Sequence, residues 1–472
     1  MLVVFLLGLL AASITERRAE VATLFNNKKV EISGVEARSR VWGLNYPREY
    51  NTWKKTAEMD FSSKHLGSKP EDALEKRPDM VVLWAGYAFS RDYSAPRGHM
   101  YTIDDMRATL RVGAPMDGKG ELQPGTCWVC KSPDVPRMML EKGVAEFYKD
   151  KWSAWGAEIV NPIGCADCHD PATMNLTITR PALVEAYQSM GKNIADASPQ
   201  EMRSLVCAQC HVEYYFKGDG RYLTFPWDKG FSVEAMEDYY DGIDYKDYVH
   251  AVSKAPILKA QHPDYELAMF GAHGQRNVSC ADCHMPYISE GGIKYSDHQV
   301  VSPLKNIAAT CQTCHRESEE VLRGYVYERQ DKVLEIRNRA ESELAKAHLT
   351  AGLAWNNGAT QEEMAPVLKL IREAQWRWDY TVASHGGPFH APVESVRILA
   401  HSLDKTMAAQ LALQKLLFAK GVKEIVLPDI STKAKAQAVI GLKMDELRKD
   451  KAVFMQTVVP QWIKTAQEKD RL

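Results

Sequence analysis

Outside five short motifs the chain has no cysteine, so none is left for a structural disulfide. Cysteine usage therefore carries no message about redox compartment. There is no excess of one charge either: 59 basic against 61 acidic residues leave a formal net charge of -2. That excludes a global basic field for nucleic acid, and any steering of an anion must come from a local cluster. No apolar run reaches the ~20 residues that a bilayer span needs. The longest, Leu2 to Ile14, is followed at once by Thr15-Glu16-Arg17-Arg18. No spacing recurs at a fixed period, which excludes a solenoid. Hydrophobic content of 45% and charged content of 25% are those of an ordinary soluble protein.

What is present is concentrated in ten thiols. Four motifs read Cys165-Ala166-Asp167-Cys168-His169, Cys207-Ala208-Gln209-Cys210-His211, Cys280-Ala281-Asp282-Cys283-His284 and Cys311-Gln312-Thr313-Cys314-His315. Each is the C-x-x-C-H pattern of covalent c-type haem attachment, in which two thiols bond the porphyrin edge and the imidazole takes one axial position on iron. A lone C-x-x-C is as easily half of a zinc site or a redox dithiol, but neither requires the adjacent histidine. The first motif, Cys127-Trp128-Val129-Cys130-Lys131, closes with lysine. A lysine ligand must be deprotonated although its unperturbed pKa is about 10.4, so the iron has to displace the proton at a cost. Axial-ligand identity is a main lever on haem reactivity. If the opposite face is open to a small ligand, Lys131 marks the active site and the other four haems are its wiring.

A closed, six-coordinate haem needs a second ligand. Fourteen histidines less the four in the motifs leave ten. His99, His273, His298 and either His385 or His390 lie in loops or at helix starts, where an imidazole can project into a site. His65, His250, His348 and His401 are read as surface or satisfied core residues. Over the open face, Arg111 before Gly113-Ala114-Pro115, Tyr214 with Glu213, and Lys259-Ala260-Gln261-His262 offer a cationic fork, a phenol and carboxylate, and an imidazole. Each alone reads equally as a surface arginine, a core tyrosine or a turn. Together they supply what reduction of a small anion needs.

The expected fold class is mainly α: a multihaem cytochrome c fold with a haem-organised core, few short strands and long C-terminal helices. Residues 1–18 are read as a signal peptide or short N-terminal anchor. Residues 19–315 form the haem-binding catalytic region, its first part, to about residue 100, showing little periodicity. Residues 316–472 form a helical C-terminal lobe, in one structural domain overall. Glu317 to Thr350 has apolar residues at helical spacing and predicts one long helix or two. Thr360-Gln361-Glu362-Glu363 is a capping box opening a helix towards Ala383. A third helix is expected to open at His390-Ala391-Pro392 and end at Gly421, and a fourth to run from Ser431 to Pro460 in pieces. The charge-laced lobe is expected to dimerise.

C-x-x-C-K followed by four C-x-x-C-H strongly resembles the pentahaem cytochrome c nitrite reductases that form ammonium, over about residues 80 to 420. The resemblance implies five covalently bound haems c, with six-electron reduction of nitrite to ammonium at the Lys131 haem. It implies Arg111, Tyr214 and His262 as distal catalytic residues, and a calcium ion held by Glu213, Tyr214, Lys259 and Gln261. Oxygen-only ligation suits such a hard cation. It pairs His169 with His298, His211 with His99, His284 with His390, and His315 with His273. It further implies a periplasmic homodimer fed by a membrane-anchored multihaem quinol dehydrogenase or a soluble cytochrome. Association with the outer face of the cytoplasmic membrane, through that partner or an uncleaved N-terminal segment, fits the same picture. The rival readings are a pure electron-transfer cytochrome, which leaves Lys131 without purpose, and a hydroxylamine- or sulfite-converting multihaem enzyme.

Overall fold

The structure is a computed structural model that describes residues 2–25, 28–32, 34–65, 67–116 and 119–472. It is mainly helical, with 59% helix and 7% strand, so no sheet can organise the interior. Among the described residues the strands form five two-stranded antiparallel pairings. Two of them lie beside the site: Tyr215–Lys217 with Tyr222–Thr224, and Tyr248–Val249 with Pro256–Ile257.

The expected long helix is a single one, Glu319–Asn356, with the Ser318 hydroxyl accepting from the Val321 N–H at its start. The next, Gln361–Ala383, begins on the capping box read from the sequence: Thr360 accepts from Glu363 N–H while the Glu363 carboxylate accepts from Thr360 N–H. Its second half buries Trp376, Trp378 and Tyr380. The helix Pro392–Ala419 packs against both. Just past its cap Lys420 stands Gly421, whose φ of +86° suits a residue without Cβ.

Two expectations change. The last helix, Met444–Glu468, runs through Pro460 instead of stopping there. The ring of Trp462 holds it: it lies 5.6 Å from Trp152 and covers Gly156, where a Cβ would come within 2.3 Å of the indole. That packing offsets the hydrogen bond proline cannot make. The first hundred residues, expected to be irregular, contain Met80-Val81-Val82-Leu83-Trp84-Ala85, wholly buried and packed with Val333, Leu344 and Trp378. This short unbroken apolar run was the legible signal there.

The largest core cluster brings Trp128 and Val129 of the first motif together with Trp376, Tyr380 and Phe454 of the C-terminal helices. The first helix, Leu2–Phe25, exposes Leu2, Val3, Phe5 and Leu6. Among the described residues no helix is long and apolar enough to cross a membrane.

Candidate functional site

All ten thiols are unbridged. The second and fourth motifs each wind into one short helix, Cys165–Cys168 and Cys280–His284. The aspartate of each motif builds its own cap, Asp167 accepting from Gly164 N–H and Asp282 from Ser279 N–H, both at 2.8 Å. The third motif closes the helix Pro199–Ala208, whose start is a Ser198–Glu201 capping box. In the first motif Trp128 stacks on Trp152 at 5.0 Å and donates to the Trp152 carbonyl at 2.9 Å.

Eight histidines face one another in four pairs. Ring centroids are 6.1 Å apart for His169 and His298, 6.1 Å for His99 and His211, 6.2 Å for His284 and His390, and 6.2 Å for His273 and His315. Each pair has one member from a C-x-x-C-H motif. Nδ1 of His169 is hydrogen-bonded to the Met174 carbonyl, of His298 to the Ser296 carbonyl and of His284 to the Val301 carbonyl, which leaves Nε2 turned to the partner. Burial lowers the pKa of His169, His273, His298 and His390, and takes His284 to about 4. His99 also falls to about 4, through burial and then the charge of Lys131. Burial, then His262, holds His211 well below its ordinary value. Neutral imidazoles are what a metal ligand requires.

Of His385 and His390, it is the His390 ring that lies 6.2 Å from that of His284, the spacing of the other three pairs, whereas the His385 ring lies 5.3 Å from that of His262. Space for His390 depends on glycine: a Cβ on Gly386 would lie 2.2 Å from its ring, and one on Gly271 would lie 1.8 Å from its carbonyl oxygen.

Lys131 follows the turn of the first motif, its carbonyl accepting from the Thr102 hydroxyl at 2.8 Å. The Arg111 guanidinium lies 4.6 Å from the Phe89 ring centroid, and its Nε is 3.3 Å from the Thr109 hydroxyl. Burial raises the Cys127 thiol to about 12, while Lys131 and Arg111 oppose the rise. Burial, followed by Cys130 and Cys127, raises the Tyr214 phenol well above its usual value. His262 Nε2 is 2.9 Å from Asp264, and its ring lies 4.4 Å from that of His211. Lys131, Arg111, Tyr214 and His262 therefore gather around Cys127 and Cys130. Burial works to raise Asp264, but the hydrogen bond and charge of His262, with His390 and His385, hold it well below the usual carboxylate range.

Next to this group lie two buried acids, Glu213 and Glu266, and the partly buried Asp247. Glu213 accepts from the Gln261 N–H at 2.6 Å and from the Tyr240 hydroxyl at 2.9 Å. Glu266 accepts from the Glu213 N–H and the Trp227 indole, both at 2.8 Å, and its other oxygen has no partner. Burial lifts Glu213 well above its ordinary value, Glu266 to about 8 and Asp247 to about 6. The Gln261 side-chain amide donates to the Lys259 carbonyl at 2.9 Å. The Lys259 ammonium points elsewhere, to Asp379 at 2.9 Å, while its backbone N–H donates to Asp247 at 2.8 Å and its carbonyl stays on this side.

The arrangement has known relatives. The sequence matches the model of the cytochrome c552 family over residues 38–470. The chain belongs to the cytochrome c552 family. It is 64% identical over 473 residues to the cytochrome c-552 of Bacteroides fragilis strain YCH46, covering 100% of this chain and 96% of that one. It is 62% identical over 474 residues to the cytochrome c-552 of Porphyromonas gingivalis strain W83, covering 100% and 95%. Its fold is similar to that of the catalytic subunit NrfA of the cytochrome c nitrite reductase from Desulfovibrio desulfuricans ATCC 27774. The TM-score is 0.78 at 31% identity, with 89% of this chain and 91% of that chain covered, and that protein is described as having two calcium sites.

Within this cytochrome c552 chain, Asp264 and Thr109 were not singled out from the sequence. Asp264 stands two residues after His262 and accepts from Ser384 hydroxyl at 2.7 Å and Gly386 N–H at 2.9 Å as well. An acid two residues past a candidate base was the available signal. The Thr109 hydroxyl donates to Asp92 at 2.8 Å, and nothing in the sequence links those two positions. Of the histidines set aside, His250 and His348 are buried and hydrogen-bonded, while His65 pairs with Asp331 at 2.6 Å and His401 is exposed near Glu234.

Proposed function

We propose that the chain is a dissimilatory nitrite reductase that carries nitrite to ammonium at the Lys131 site. The observation that carries the reading is the repeated spacing of the histidine pairs. A metal–imidazole bond of roughly 2.0 Å, plus about 1.1 Å from nitrogen to ring centre, counted on both sides, gives about 6.2 Å between rings that share one iron. The four pairs sit at 6.1 to 6.2 Å. The residues thus fit four bis-histidine haems, with Cys127, Cys130 and Lys131 holding a fifth of a different kind. When bound, these haems would relay electrons from the donor, and the one at Lys131 would offer a face at which the substrate is reduced.

Around that face the chain's own groups have separate tasks. Arg111 presents a permanently charged fork to the nitrite oxygens, stiffened by Phe89 beneath it and Thr109 at Nε. His262, anchored on Asp264, is the group that passes protons to oxygen as it leaves as water. Tyr214, kept protonated by burial, is a hydrogen-bond donor to later, more reduced species. Reduction to ammonium consumes many protons, and His262 with Asp264 beside it is the chain's own route for them.

Calcium fits beside the site. Two buried acids and the partly buried Asp247, all with elevated proton affinity and one carrying an orphan oxygen, call for a hard cation. Glu213, the Gln261 amide and the carbonyls of Lys259 and Tyr214 are its proposed ligands. The wider proposal is a periplasmic homodimer that takes electrons from a membrane-anchored multihaem quinol dehydrogenase or a soluble cytochrome.

The test is steady-state turnover of the purified holoprotein with a reduced viologen and nitrite, hydroxylamine or sulfite in turn. Ammonium should account for the nitrite consumed. Lys131→His should retain its haem yet lower nitrite turnover by at least about tenfold, through the changed axial ligand. Unchanged turnover in that variant, or no ammonium from wild type, refutes the proposal.

A further inference from the structure

Three attachment motifs meet at Thr179 and Arg180, two residues outside all five. Arg180 is fully buried. Its Nε donates to the Val129 carbonyl and its Nη2 to the Ser132 carbonyl, both at 2.8 Å, and Nη2 also reaches the Asp167 carboxylate. Gln209 Oε1 accepts from the Thr179 N–H at 3.1 Å, and Gln209 Nε2 donates to the Asp167 carbonyl at 2.7 Å. Val129, Asp167 and Gln209 are the same position in three motifs, the residue before the second cysteine. One dipeptide thus staples the first motif to the second and third.

We propose that Arg180 is the positioning residue for Lys131, and that its buried charge raises the reduction potential of the iron at the first motif. The proposal rests on the reading of Lys131 as an axial ligand. Val129 and Ser132 bracket Lys131, so a guanidinium bonded to both carbonyls fixes the turn from which the lysine side chain leaves. The Thr102 hydroxyl on the Lys131 carbonyl fixes it from another side. A planar fork can hold two carbonyls and a carboxylate at once, which an ammonium cannot do with the same geometry.

The charge has a direction. The cation touches the backbone of the first motif, while its counter-ion Asp167 belongs to the second. The nearby acid Asp134 is already committed to Arg137 at 3.2 Å and to the N–H groups of Val160 and Asn161 at 2.9 Å. Reduction of a ferric iron by one electron lowers its charge by one, so a fixed cation favours the reduced form and a fixed anion opposes it. In a buried setting such interactions are weakly screened. The ion pair therefore makes the Lys131 iron easier to reduce relative to the iron of the second motif, and electrons run towards the substrate.

The experiment is a spectropotentiometric titration of the holoprotein, following the high-spin ferric signal by electron paramagnetic resonance. A wild-type protein without that signal refutes the reading of Lys131 itself, whatever Arg180 does. With the signal present, Arg180→Gln should shift its midpoint down and Asp167→Asn should shift it up. Shifts of the same sign, or none in either, overturn the electrostatic role. If Arg180→Gln yields no holoprotein, Asp167→Asn decides alone: an upward shift supports the proposal and any other result overturns it. Arg180→Lys keeps the charge and loses the fork, so it should alter the line shape of the high-spin signal; an identical line overturns the positioning role.

Discussion

His262 has two histidines and one carboxylate around it, and only the carboxylate binds it. Asp264 spends one oxygen on His262 at 2.9 Å, and the other receives Ser384 and Gly386 and lies 3.9 Å from His390 Nδ1. A single side chain thus orients the imidazole proposed to face the substrate and steadies the loop of one proposed to bind iron. His385, 5.3 Å from His262, has no such tie to a motif histidine. The two histidines are five residues apart, His385 just after the helix Gln361–Ala383 and His390 at the end of the short helix Gly387–His390, and this closeness in the chain is why the residues alone could not rank them. Substitution separates their roles. His390→Ala should convert one low-spin haem into a second high-spin centre in the paramagnetic resonance spectrum, whereas His385→Ala should leave the low-spin count unchanged. A second high-spin signal from His385→Ala instead would reverse the assignment.

The long helices are pinned to the haem region by buried polar groups. Asp379 on Gln361–Ala383 accepts from the Lys259 ammonium at 2.9 Å and from the Trp84 indole at 3.3 Å, with both charged side chains essentially inaccessible. Removing one partner leaves a buried charge uncompensated. Asp379→Leu should cost about 3–5 kcal/mol in unfolding free energy and also loosen the segment around Lys259 and Gln261. Denaturant titration with calcium chelated and restored would read both effects. Nearby, His250 and His348 stack at 3.8 Å between the Tyr248–Val249 strand and Glu319–Asn356. His250 Nδ1 accepts from two backbone N–H groups and Nε2 donates to the Val82 carbonyl; His348 contacts Ser253 and Gln375. Both are held neutral: burial takes His250 to about 4 and His348 well below its ordinary value. The unfolded chain, with ordinary imidazoles, binds these protons first, so the stability they contribute is present above about pH 6.5 and is lost as pH falls towards 4. For His250 the shift corresponds to something on the order of 3 kcal/mol. The Tm of wild type should therefore drop more steeply between pH 7 and 5 than that of His348→Gln, and parallel curves would show that the pair does not titrate.

At the scale of the whole molecule, what could be read from the chain was covalent and local. The five motifs, the Thr360 capping box and the glycine ending at Gly421 are chemical statements about adjacent residues, and the structure keeps each of them. Contact at a distance was reached only through the family resemblance, as for His298 and His169, or not at all, as for Arg180 and Val129, because the interior is shaped around groups that the amino-acid alphabet does not contain. The helix carried through Pro460 belongs to the same class, since Trp462 and Gly156 lie far apart in the chain. If the spaces between paired histidines are set by iron, the holoprotein must fill all of them, and a partly loaded chain should be poorly folded. A pyridine haemochrome assay should give five haems per chain, with four low-spin centres and one high-spin centre by paramagnetic resonance. Cys283→Ser, which removes one thioether of the fourth haem, should lower the yield of folded protein as a whole, because the His284–His390 pair lies under the Asp264 loop. A stable product with four haems and an intact site would show that the pairs are fixed by the protein alone.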